Sequence, residues 1–136
     1  MTCKPSPAVI LFILSLFFTI SCSNSSKSSI VPVNLTLEYL TNTSGLDVVH
    51  PRFSWILQPT KENGYGQKQT AYRILVASNH NLLKEGKADV WDTEWVTSDD
   101  MQLIKFDGKK LQSDHTYYWK VAVRDESGNE SAFSEI

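Results

Sequence analysis

The side chains from which chemistry could be built in this sequence are two close carboxyl pairs, three histidines, two cysteines and a handful of large aromatics. Hydrolysis by paired carboxyl groups needs them to face each other across the bond, about 5 to 9.5 Å apart, with one pKa raised. Asp99-Asp100 and Asp92/Glu94 are the visible pairs. Neighbours on a strand point to opposite faces, and in a turn both are solvated, so neither pair converges on one bond. No catalytic residue is expected. His50, His80 and His115 fall in expected loops without a ligand-type partner at i+2 or i+4, so neither a metal site nor a cofactor is expected. The positive signal is aromatic. Trp91, Trp95, Tyr65 and Tyr117 could lay a flat face on the apolar C–H side of a sugar ring, but packing or docking against another domain is the favoured reading of them. Arg52 and Arg73 read as solvated residues on strand outer faces, their stems covering apolar neighbours.

Cys3 and Cys22 both lie in the first 22 residues, so nothing beyond them forms a disulfide within this chain or a cysteine zinc site. Thirteen basic against fifteen acidic residues, a net charge of −2, give no field for a phosphate backbone, and nucleic-acid binding is not expected. The apolar run from Ala8 to Ile20 reads as an export signal over residues 1–21, too short for an ordinary membrane span. Thr19-Ile20-Ser21-Cys22 resembles a bacterial lipobox, with Thr19 where leucine is favoured, which implies acylation of Cys22 and attachment to the cell envelope. The alternative is a plain secretory signal that happens to contain a cysteine. Residues 22–30 read as a polar tether. The sequons at Asn24, Asn34 and Asn42 are incidental to a bacterial export route.

The elements that must position the aromatics follow from period two. Val33, Leu35, Leu37 and Tyr39 alternate with polar residues. Phe53, Trp55 and Leu57 share one parity between Pro51 and Pro59. Tyr72, Ile74 and Val76 form the inward side of a third strand, and Tyr117, Trp119, Val121 and Val123 that of the clearest one, whose other face is expected to be wet. Residues 60–68 read as a hairpin loop and 79–86 as a structured connection. Short strands are expected over 94–98 and 102–106, with turns at Asp99-Asp100 and Asp107-Gly108. The expectation is an all-β, antiparallel, immunoglobulin-like or fibronectin III-like sandwich over residues 31–136, with Trp55 and either Tyr118 or Trp119 filling its core. Ser131 to Ile136 starts a last strand that stops short, leaving the preceding strand with an open edge and the piece poorly soluble.

Several segments resemble, as a set, the N-terminal immunoglobulin-like domain of bacterial alpha-L-rhamnosidases, glycoside hydrolase family 78. They are Gly45-Leu46-Asp47, Pro51 to Trp55, Gln69 to Ser78, Asp89-Val90-Trp91-Asp92, Tyr117 to Val121 and Ser131 to Ser134. The likeness runs from about Leu35 to Ile136, with Lys120 where arginine is frequent and Phe133 where tryptophan is frequent. The resemblance implies a non-catalytic module whose partner is an (α/α)-barrel carried elsewhere in a longer exported enzyme, this chain being a fragment of it. The other expectation is a stand-alone surface lipoprotein that binds a rhamnose-containing glycan through exposed aromatics.

Overall fold

In the computed structural model, which describes residues 26–41, 43–61 and 64–136, the alternation of Tyr72, Ile74 and Val76 with Ala71, Arg73 and Leu75 becomes a central strand. The signal segment and Cys22 lie outside the described residues. Among the described residues seven strands form in order: β1 (Ile30–Leu37), β2 (Arg52–Pro59), β3 (Gln69–Ala77), β4 (Trp91–Asp92), β5 (Val96–Thr97), β6 (Ile104–Lys105) and β7 (Tyr118–Asp125). A 3-10 turn, His80–Leu82, follows β3. One sheet runs β1-β2-β6. In the other, β3 pairs with β7 along one side and with the short β4 and β5 along the other. All of these pairings are antiparallel.

The two inner faces meet in one core of Phe53, Trp55, Tyr72, Ile74, Val76, Phe106, Val121 and Val123, closed at one end by Ile30. Each fully buried side chain of this kind stabilises the fold by about 1.5–3 kcal/mol. The Phe53 ring meets Trp119 edge-on with centroids 4.7 Å apart and lies 5.9 Å from Trp91. Trp55 stands edge-on to Tyr72 at 5.4 Å. Trp119, and not Tyr118, therefore serves the main core. Tyr118 has the opposite parity and packs with Leu75, Ala77 and Leu83 on the far side of the β3/β7 sheet.

Several features depart from the expected layout. Ser28 and Ile30 are buried and Ile30 opens β1, so the last residues of the expected tether belong to the sandwich. Within β1 the register shifts between Val33 and Thr36, with Asn34 at φ 50°, a bulge that moves the inward side from even to odd positions. Leu37 and Leu40 then bridge in a tight turn, which puts Tyr39 in solvent. Residues 60–68 connect strands of different sheets and so form a crossover, not a hairpin.

The outer face of β7 is also not wet along its length. Ala122 is buried, and Leu82, Leu83, Ala88 and Phe133 cover the Leu75 and Ala77 end of that sheet. Finally, the edge of β7 is not open. Ser131 and Ser134 donate their amides to the carbonyls of Val123 and Val121 at 2.8 Å each. Their hydroxyls accept the Val123 and Val121 amide hydrogens at 3.0 and 3.1 Å.

Candidate functional site

The four aromatic candidates are dispersed. Trp91, on β4, packs into the main core 5.2 Å from Phe106. Tyr117 also packs against that core, and its hydroxyl accepts the Gln112 amide hydrogen at 2.9 Å. Trp95, between β4 and β5, lies beneath the Arg124 guanidinium, whose carbon stands 4.1 Å from the ring centroid. Tyr65, in the β2–β3 crossover, is 87% exposed. The fold thus engages three of the four in packing and brings no two of them into one stacking platform.

The carboxyl pairs are likewise held apart. The Ser98 hydroxyl donates to the Asp100 carboxylate at 2.9 Å, while Asp99 projects into solvent. Asp92 is clamped by Arg73 through two parallel bonds of 2.9 and 2.8 Å and also accepts the Glu94 and Gly86 amides at 2.9 and 3.3 Å. Burial pushes the Asp92 carboxyl up, but the Arg73 guanidinium and the two amides together hold it below its ordinary value. A carboxylate held ionised in this way is a poor proton donor. Of the histidines, His50 Nδ1 lies 3.1 Å from the Phe106 carbonyl, and the His80 ring sits 3.8 Å from Tyr118. His115 Nδ1 lies 3.0 Å from the Ser113 carbonyl. Among the described residues no three potential metal ligands come together.

Of the two arginines that read as solvated, Arg73 is instead an anchor, while Arg52 stays 42% exposed and pairs at the surface. The Arg73 side chain is only 12% exposed and also reaches Glu85 at 3.4 Å. Arg52 makes a forked pair with Glu38, whose carboxyl that guanidinium holds low. Asp89 in turn accepts the Ser78 amide at 3.0 Å and the Ser78 hydroxyl at 2.5 Å. The segment Asp89-Val90-Trp91-Asp92 is therefore a latch. Its two carboxylates fasten the connection after β3 back onto Ser78 and Arg73 while Trp91 enters the core. Arg73 and Asp92 lie nineteen positions apart, so no local pattern marks them as partners.

What remains open is a surface. Of the large apolar side chains left exposed, Tyr39, Leu40, Ile56 and Leu103 all belong to the β1/β2/β6 side of the sandwich. Residues 32–136 match the family described as Rha78A-like, N-terminal immunoglobulin domain. An alpha-L-rhamnosidase of Formosa agariphila is 39% identical over 120 residues, which is 87% of this chain and 12% of that protein. The structure of the alpha-L-rhamnosidase from Dictyoglumus thermophilum superposes with a TM-score of 0.72 at 39% identity, covering 81% of this chain and 12% of the other. That of Streptomyces avermitilis alpha-L-rhamnosidase, complexed with L-rhamnose, gives 0.70 at 35% identity, with 77% and 10% covered. The chain spans about a tenth of the length of the curated relatives it matches. The matched part is their small N-terminal domain and not their catalytic region, so this chain by itself is not a glycosidase.

Proposed function

Since the chain belongs to the Rha78A-like N-terminal immunoglobulin domains, we propose that it serves as the accessory module of an exported alpha-L-rhamnosidase-like glycoside hydrolase, packing against the catalytic part and fixing its position. The observation that carries this reading is the match itself: nearly the whole sandwich corresponds to one small domain at the start of a much longer enzyme. Dispersed aromatics and paired carboxylates agree with a scaffold. The alternative of a stand-alone glycan binder draws no support from them, because three of its four candidate rings are half-buried in contacts of the fold and no two form one platform. Export and attachment through an acylated Cys22 belong to the same proposal and rest on the lipobox-like Thr19-Ile20-Ser21-Cys22.

The test places residues 26–136 in front of the Formosa agariphila rhamnosidase in place of its own matched segment, beside that enzyme with the segment deleted. The chain alone should release no product from an aryl rhamnoside, and the hybrid should melt above the deleted enzyme. Product from the chain alone, or equal melting of hybrid and deletion, refutes the reading. For the anchor, Cys22→Ala should move the full chain from the detergent phase to the aqueous phase on expression in a bacterial host. Unchanged partitioning ends the acylation proposal.

A further inference from the structure

The two outer faces of the sandwich are not alike. On the β3/β7 sheet the face is closed by the chain itself: Leu82, Leu83, Ala88 and Phe133 cover Leu75 and Ala77, and the Arg73–Asp92 and Arg124–Glu130 pairs occupy the rest. On the β1/β2/β6 sheet exposed apolar side chains stand among the polar Ser54 and the Arg52–Glu38 pair. Ile56, directly across from Val33, is 54% exposed. Leu103, whose amide donates to the outward Ser54 hydroxyl at 2.9 Å, is 39% exposed. Tyr39, beneath the outward Arg52 at 5.7 Å, extends the strip, and Leu40 follows it. Beside them Lys105, paired in register with Arg52, is exposed and enters no ion pair among the described residues. Exposed Ile56, Leu103, Tyr39 and Leu40, interrupted by Ser54 and the Arg52–Glu38 pair and flanked by Lys105, have the mixed apolar and polar composition of a docking surface.

We infer that the outer face of β1, β2 and β6, centred on Val33, Ile56 and Leu103, is the surface on which the catalytic part of the rhamnosidase seats, through an apolar contact flanked by a carboxylate opposite Lys105. This rests on the accessory-module reading and specifies it. Some nine-tenths of each matched relative lies outside the region this sandwich covers, which supplies an occupant in the same polypeptide. Among the described residues, none of the exposed large apolar side chains lies on a strand of the opposite sheet.

The test combines Ile56→Lys with Leu103→Lys in the isolated 136-residue chain and in the hybrid described above, with Thr97→Lys, at an exposed position on β5, as the comparison. Both altered side chains are exposed, Ile56 by 54% and Leu103 by 39%, so the isolated chain should melt within a few degrees of the unaltered one, which also shows that the variant folds. In the hybrid the same pair should remove most of the rise in melting temperature that the module confers, while Thr97→Lys leaves it intact. Hydroxyl-radical oxidation of Ile56, Leu103 and Tyr39 should be several-fold slower in the hybrid than in the isolated chain, with Tyr65 as the unchanged reference. If the rise survives the double substitution, or Thr97→Lys abolishes it, the assignment of this face is wrong while the accessory role stands. If the unaltered hybrid shows no rise at all, the accessory role itself falls. A concentration-dependent dimer of the isolated chain that the double substitution dissociates would make a second copy the occupant and overturn the proposal.

Discussion

The indole Nε1 of Trp55, on β2, donates to the side-chain oxygen of Gln69, on β3, at 3.0 Å across the interior of the sandwich. The amide nitrogen of Gln69 continues to the carbonyls of Ser98 and Asp100 at 3.2 and 2.8 Å. One buried side chain thus joins both sheets and the crossover from β5 to β6. Beyond Cys22 there is no cysteine to tie the layers, and this fully satisfied amide takes that part.

Gln69→Ala should therefore cost more than a surface change. It leaves the Trp55 N–H and two carbonyls without partners and opens a cavity, and together these should lower stability by about 2–4 kcal/mol. Urea unfolding followed by tryptophan fluorescence measures it. A loss below about 1 kcal/mol would mean that water replaces the amide without penalty.

How much of this was legible in the sequence depends on locality. The inward sides of β3 and β7 and the core position of Trp55 follow from period two and are as expected. In β1 the Asn34 bulge breaks the period, and a bulge leaves no mark in an alternation of residue types. Gln69 reads as a polar strand start because its three partners come from residues far along the chain. Arg73 and Asp92 are each ordinary charged residues until the fold sets them face to face. Ser131 and Ser134 escape notice because they are spaced by three, whereas a strand predicts two. The aromatic candidates are dispersed for one reason: residue type reports only that a ring can make contact, and the fold decides that Trp91 and Tyr117 pack against the core while Tyr65 stays in solvent.

Gly108 is required by contact and not by backbone angle. A Cβ there would stand 2.6 Å from the Cβ of Trp91 and 2.7 Å from the Phe106 ring. Gly108→Ala should displace Trp91 and cost about 1–3 kcal/mol, seen as a lower melting temperature with an altered near-UV aromatic signal. Gly45→Ala, where nothing lies within 4 Å but φ is +75°, should be destabilising with the aromatic signal unchanged. Identical spectra for both variants would contradict the packing argument.

Acid should unfold the domain through its buried carboxylates. Burial raises the Asp125 pKa, but the amides of Ser29 and Asn129 and the side chains of both residues outweigh this and hold it below the ordinary aspartate value. The Asp92 carboxyl is lowered in the same sense. A lowered folded-state pKa gives stability that is present above the unfolded value and is lost as pH falls through the folded one. Stability should thus be flat near neutrality and decline from the ordinary carboxylate range downward. Asp125→Asn should weaken the bonds that fasten Ser29 to the end of β7, lowering stability by about 2 kcal/mol at neutral pH and flattening the acid limb. An acid limb of unchanged slope in that variant would assign the titration elsewhere.

The edge of β7 gives the last prediction. Ser131 and Ser134 each hold one valine of that strand by both its amide and its carbonyl, the hydroxyl standing in for the carbonyl that a regular partner strand would present. The same hydroxyls pass their own hydrogens to the carbonyls of Ala132 and Glu135 at 2.7 and 2.8 Å, so no group of the clasp is left unmet. Because the edge is occupied, it offers no template to a second chain. Removing both hydroxyls, Ser131→Ala with Ser134→Ala, frees two amides and should cost about 1 kcal/mol for each. Hydrogen exchange at Val121 and Val123 should accelerate in that variant, and the altered chain should self-associate as concentration rises. Unchanged exchange at these two amides would show that the serine backbone alone protects the edge.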